Sequence, residues 1–259
     1  MSKKFVSSIP IPEVMRDQGA RYFDLVLACD ADGVLVDFDS RVQKHATESL
    51  LRGNHHFKLK ESRTYYYHRD PKTQLSKEQM GRLFRELMGR TKGGIGDLDF
   101  YEGAVDAIRK ARKKGIEARV LTNLPGALDA SPDAGQSYNW GTARQQRIQQ
   151  FVKAGVVLEE DHVIFCEAHD KANVMLDKIL LHIPLLVDDR ASTLVSARAD
   201  HGLIAVGIES SRTLKLPKGK GLIDRYGVVW FNSLQDAMPA IIEVFAELQE
   251  LGLVRVYSK

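Results

Sequence analysis

Four short apolar runs, each delivering a polar group at its end, constrain this chain more than any other feature. Leu25-Val26-Leu27-Ala28-Cys29 leads into Asp30-Ala31-Asp32-Gly33-Val34. A second run ends in Thr122-Asn123, a third is followed by Lys171, and a fourth ends in Asp188-Asp189. Runs of this length, rich in β-branched residues, read as buried strands. From about residue 100 they alternate with helical patterns. Ala104, Val105, Ile108 and Ala111 sit at helical spacing, so residues 103–114 are predicted helical, with Gly115 as the stop. Strands are expected over 117–123, 162–167, 184–189, 203–208 and 228–231, and helices over 171–182 and 191–201. Thr142-Ala143-Arg144-Gln145 reads as a capping box opening a helix that carries Ile148, Phe151 and Val152 on one face. A last amphipathic helix contains Ile241, Ile242, Phe245 and Leu248. Strands spaced by helices imply right-handed crossovers and a doubly wound, parallel α/β sheet. All four polar ends would then lie along one edge, where such sheets bind ligands.

Residues 40–99 break the rhythm. They read as a helix over 40–51, an aromatic and basic segment over 57–69, and a second helix ending at Gly89. That helix opens with the capping box Ser76-Lys77-Glu78-Gln79 and carries Met80, Leu83, Phe84, Leu87 and Met88 on one face. So long an insertion is a small, mainly helical subdomain placed after the first strand of the motif series, not a crossover loop. Residues 1–39 and 100–259 form the expected core.

Composition excludes more than it assigns. A formal charge of +3, with basic residues scattered, gives no support to a stable nucleic-acid partner. No apolar run reaches the length of a membrane span, and no signal-peptide core follows Met1-Ser2-Lys3-Lys4, so a cytoplasmic protein is expected. Cys29 and Cys166 both lie in apolar runs and are expected to be buried, reduced thiols. No pattern addresses oligomeric state.

The polar groups at the strand ends suit phosphoryl chemistry. A carboxylate can attack phosphorus and form an aspartyl phosphate. Two anions must then meet, so a Mg²⁺ ion held by carboxylates is expected as cofactor. Asp30 and Asp32, two residues apart, point the same way if strand geometry continues, and Gly33 lets the chain turn. Asp188 and Asp189 would close the metal site, Thr122 would bond a phosphate oxygen, and Lys171 would neutralise charge. Asp-x-Asp-Gly alone is a common turn pattern. The ordered set is far harder to reach by chance.

Asp30-Ala31-Asp32-Gly33-Val34-Leu35, Val120-Leu121-Thr122-Asn123, Lys171 and Leu186-Val187-Asp188-Asp189-Arg190 resemble the four motifs of the haloacid dehalogenase superfamily. Within it the chain looks nearest to the 5'(3')-deoxyribonucleotidase group. Phe100-Tyr101-Glu102-Gly103-Ala104-Val105 resembles that group's lead into its second motif, and Asp170-Lys171 and Val187-Asp188-Asp189-Arg190 resemble its third and fourth. It departs from that group in a longer stretch between the lysine and the acidic pair, and in the loop 124–140. The resemblance implies a Rossmann-like core, a Mg²⁺-dependent phosphatase, and a small phosphorylated substrate, with a nucleoside monophosphate as the nearest class. It implies Asp30 as nucleophile and Asp32 as general acid and then base. Metal would bind the Asp30 side chain, the Asp32 carbonyl and one of the acidic pair, with Asp189 favoured and Asp188 behind it. Thr122, Asn123 and Lys171 would hold the phosphoryl group. Lys178 competes for the lysine role, because its spacing to Asp188 is closer to that of the nucleotidases. Fold geometry favours Lys171.

In this superfamily an insertion after the first motif acts as a cap. Tyr65, Tyr66, Tyr67 and Arg69 in residues 40–99 could stack on a base and meet a second anion, or form an ordinary strand or loop. His55-His56 lacks a second pair at zinc spacing, and Gly93-Gly94-Ile95-Gly96 does not follow a strand. Three functional classes remain. The phosphatase leads; a phosphate-accepting signalling domain would carry its acidic pair first. A binding protein on a degenerate phosphatase fold should have lost one of the five polar groups. A metabolite other than a nucleotide stays open as substrate.

Overall fold

Eight strands form one sheet in the order β4-β3-β2-β5-β6-β8-β7-β1 in the computed structural model, which describes residues 4–6, 8–17, 23–49, 76–88, 94–123, 140–177, 182–209 and 220–255. The strands are β1 Lys4–Val6, β2 Val26–Cys29, β3 Glu117–Thr122, β4 Val163–Phe165, β5 Leu185–Asp188, β6 Ile204–Ile208, β7 Gly221–Ile223 and β8 Val229–Phe231. The run β4-β3-β2-β5-β6-β8 is parallel throughout, and β7 is antiparallel to both its neighbours. The parallel α/β fold expected from the strand–helix alternation is present.

Helices separate the strands. They are α1 Glu13–Asp17, α2 Phe38–Ser49, α3 Lys77–Met88, α4 Ala104–Lys113, α5 Trp140–Ala154, α6 Lys171–Met175, α7 Ala191–Ala199 and α8 Leu234–Glu250. α4 packs against α8 and α6 against α7, while α4, α7 and α8 also contact the sheet. Strands β2, β5 and β6 are buried along their whole length, which is why they read as unbroken apolar runs rather than alternating ones. Chain order runs β2, β3, β4 to one side of β2 and then resumes with β5 on its other side. The direction of winding therefore reverses at β2, and such a switch point opens a crevice at the strands' carboxyl ends.

Helices α2 and α3 form a pair. Phe38 and Phe84 stack with ring centroids 5.8 Å apart. His45 Nε2 lies 2.8 Å from Glu86 Oε2. Val42, Ala46, Leu83 and Leu87 are buried yet stand outside the main core cluster. The Ser76 box is present: Ser76 N donates to Gln79 Oε1 at 2.8 Å and Gln79 N to Ser76 Oγ at 3.1 Å.

Several sequence expectations need correction. α5 is already helical at Trp140, two residues ahead of the start expected at Thr142. The helix expected over 171–182 ends at Met175, where Leu176 leaves helical geometry at φ −102° and ψ 6°. Cys29 is buried, but Cys166 is only half-buried. Burial still pushes the Cys166 thiol up to about 11, so neither sulfur is an activated nucleophile. β1, α1 and β7 were not expected: with three to five residues each, they are too short to show a period. Among the described residues no helix is long and apolar enough to cross a membrane.

Candidate active site

Asp30 is the first residue beyond β2, and its N–H still reaches across to the Val187 carbonyl of β5 at 2.8 Å. That bond holds the carboxylate over the switch point. The chain then coils tightly, with Leu35 N and Val36 N both donating to the Ala31 carbonyl at 2.9 Å. Gly33 sits in the left-handed region at φ +83°. A Cβ there would fall 2.2 Å from Asp189 Oδ2 and 2.6 Å from Asp189 Cγ, so glycine is required for space as well as conformation.

Lys171, at the start of α6 beyond β4, is the hub. Its Nζ lies 2.9 Å from Asp30 Oδ1 and 2.7 Å from Asp188 Oδ2. Asp188 Oδ1 accepts from Arg190 N at 2.7 Å. Asp30, Asp188 and Asp189 each bring a carboxylate oxygen within 4.8 Å of the others. Among the described residues, the Lys171 ammonium pairs with two of these three carboxylates, Asp30 and Asp188. Burial, resisted by Lys171 and reinforced by Asp188 and Asp32, pushes Asp30 up to about 7. Burial and the charges of Asp30 and Asp188 push Asp189 well above the carboxylate range. Burial works against the Lys171 charge, but Asp30 and Asp188 outweigh it and hold the amine above its ordinary value.

The remaining expected residues fall around this hub. Thr122 ends β3 and is fully buried, and its Oγ1 has no hydrogen-bond partner among the described residues. An orphaned buried hydroxyl is costly. Asn123 follows it, with Nδ2 donating to Glu167 Oε2 at 2.8 Å. Asp32 Oδ1 accepts from Arg147 Nη2 at 2.7 Å. Lys178 and the segment Tyr65, Tyr66, Tyr67 and Arg69 lie outside the described residues, as do His55 and His56. Among the described residues, the lysine that contacts Asp30 and Asp188 is Lys171.

Two residues near the site were not anticipated. Burial and the charges of Asp37, Asp39, Asp189 and Asp32 push the Tyr101 phenol up, keeping it a neutral donor. Arg147 is fully buried on α5, in the stripe it shares with Ala143 and Phe151. A charge at the buried position of an apolar stripe was the available signal. A second acidic group, Glu159, Asp161 and His162, precedes β4 and so lies at the opposite, amino-terminal edge of the sheet.

No family model matches the chain, and no curated protein matches it. Solved structures do. A HAD family hydrolase from Deinococcus radiodurans R1, with bound phosphate and sodium, is 16% identical with a TM-score of 0.50, covering 92% of this chain and 100% of its own. A haloacid dehalogenase-like family hydrolase from Xanthomonas campestris is 10% identical with a TM-score of 0.49, covering 89% and 100%. A HAD hydrolase of family IA, variant 3, from Entamoeba histolytica is 15% identical with a TM-score of 0.44, covering 85% and 99%. The Deinococcus structure shows that this chain has the fold of haloacid dehalogenase-type hydrolases.

Proposed function

We propose that the protein is a Mg²⁺-dependent phosphatase that hydrolyses a small phosphomonoester through an aspartyl phosphate on Asp30. The observation that carries this is the Lys171 bridge to Asp30 and Asp188, with Asp189 within metal-sharing distance, at the switch point of the sheet. The donor set fits the ion: clustered oxygen donors, most of them carboxylates, suit a hard divalent cation. Asp30 and Asp189 would hold it, with the Asp32 carbonyl, while Asp188 bonds Lys171 and Arg190 behind them. Bound there, the ion supplies charge that lets a carboxylate approach a phosphate.

Asp30 attacks phosphorus, a phosphorus–oxygen bond forms, and the bond to the leaving oxygen breaks. Asp32 gives its proton to that oxygen. The Asp32 carboxylate then takes a proton from water, whose oxygen attacks the same phosphorus. The bond to Asp30 breaks, inorganic phosphate leaves, and both carboxyl groups return to their starting states. Lys171 and the orphaned Thr122 hydroxyl offer donors to the transferring oxygens.

Within this class we favour a nucleoside monophosphate, selected by Tyr65, Tyr66, Tyr67 and Arg69 in a cap over residues 40–99. The α2–α3 pair supports a separate subdomain there; composition alone supports the aromatic role. Purified protein assayed on an aryl phosphate, nucleotides, sugar phosphates and phosphoamino acids, with Mg²⁺ or chelator, tests both levels. Turnover undiminished in chelator refutes the metal-assisted mechanism. Preference for a sugar phosphate refutes the nucleotide assignment alone.

A further inference from the structure

We infer that Arg147 is a positioning residue that holds the Asp32 carboxyl group in one orientation for proton transfer to the leaving group. The inference rests on Asp32 being the proton donor of the phosphatase proposed above.

Arg147 is poorly explained as a stabilising residue. Its side chain is 0% exposed, and Nε and Nη1 are buried with no hydrogen-bond partner among the described residues. Burying a guanidinium with unsatisfied donors is expensive, and its partner Asp32 reaches solvent, so an apolar replacement of similar volume would not strand a buried charge. The Phe151 ring, 6.0 Å from Arg147 Cζ, offers only a weak cation–π contact in return. The remaining nitrogen makes its one strong contact among the described residues, Nη2 to Asp32 Oδ1 at 2.7 Å, across 115 residues of chain.

The geometry around that contact is rigid on both sides. The Asp32 backbone is fixed by the turn over residues 31–36, with Asp32 bridged to Val36 and Gly33 N donating to the Val36 carbonyl at 3.2 Å. α5 is held at its far end by Arg112, whose Nη1 and Nη2 donate to the carbonyls of Gly155 at 2.8 Å and Val156 at 2.9 Å. The remaining freedom is rotation of the Asp32 side chain, which is 26% exposed and would otherwise turn toward water. A charge-assisted bond from a buried, immobile guanidinium removes it. Effective proton transfer demands such fixed geometry.

Arg147→Met, measured on an alkyl and an aryl phosphate with Mg²⁺, separates this role from a structural one. kcat/KM covers the first phosphoryl transfer, in which an alkoxide needs a proton and a nitrophenolate does not. The variant should lose about 10²-fold on the alkyl ester and roughly tenfold or less on the aryl ester. In an Asp32→Asn background the same substitution should add almost nothing, because its target is gone. Its melting temperature should stay level or rise. Equal losses on both esters, an undiminished effect beside Asp32→Asn, or a collapse in melting temperature would overturn the inference while leaving an active wild type in place. A wild type inactive on both esters would overturn the phosphatase and this role together.

Discussion

Without metal, the protein should lose stability as pH rises through neutrality, and Asp30 is the reason. Its carboxyl ionises at an ordinary 3.8 in the unfolded chain and is pushed up to about 7 in the folded one, chiefly by burial. Between those values the folded state binds the extra proton. The stabilising contribution is therefore complete below the unfolded value and lost as pH rises through the folded one. At about 1.4 kcal/mol per unit, the interval corresponds to roughly 4 kcal/mol as an upper limit. For a chain of this size that is about 8–16 °C in melting temperature. Asp189 shifts in the same direction and adds to the effect. Other carboxylates oppose it, Glu86 among them, held below its usual range first by its bond from Arg82. The comparison must therefore be with Asp30→Asn, which cannot ionise. Melting curves in chelator at pH 5 to 8 should show the variant gaining on wild type as pH rises. Excess Mg²⁺ at about 100 times its dissociation constant should return roughly 2.7 kcal/mol to wild type at pH 8, and much less at pH 5 or in the variant. A gap that does not change with pH, or equal Mg²⁺ stabilisation of both proteins, would refute the reasoning.

Other outcomes follow from the same geometry. Lys171→Met leaves Asp30 and Asp188 facing each other without a counter-ion, and denaturant titration at pH 8 should find about 3–5 kcal/mol lost, less at pH 5 where the carboxyls protonate. Gly33→Ala must place a methyl 2.2 Å from Asp189 Oδ2 at a positive φ, so roughly 1–3 kcal/mol of stability should go, and the Mg²⁺ concentration for half-maximal activity should rise. Alanine at Tyr65, Tyr66 and Tyr67 should cost about ten- to a hundredfold in kcat/KM on a nucleoside monophosphate and little on an aryl phosphate; equal losses on both would assign these residues to stability.

Most of the scaffold was legible from local pattern. β2, β5 and β6 are nearly unbroken apolar runs because both faces of a parallel sheet are covered. The polar residue ending each run marks the carboxyl edge wherever the strand sits in the sheet. Asp30, Thr122, Lys171, Asp188 and Asp189 could therefore be assigned to one edge without knowledge of strand order. Terminal elements such as β1 and β7, three residues each, were invisible because pairing rather than periodicity makes them strands.

Tertiary structure decided the rest. Strand order put β2 between β3 and β5, so the Asp30 N–H meets β5 and one lysine reaches two carboxylates. The distinction between Asp188, held by Lys171 and Arg190, and Asp189, pressed against Gly33, exists only in three dimensions, since adjacent acids look alike in a sequence. Arg147 is the clearest case. Local pattern marks it only as a charge in an apolar stripe, and nothing local names Asp32 as its partner. Apolar runs and helical stripes are patterns among neighbours a few residues apart. A buried ion pair is set by whichever distant group packing brings within 3 Å of it.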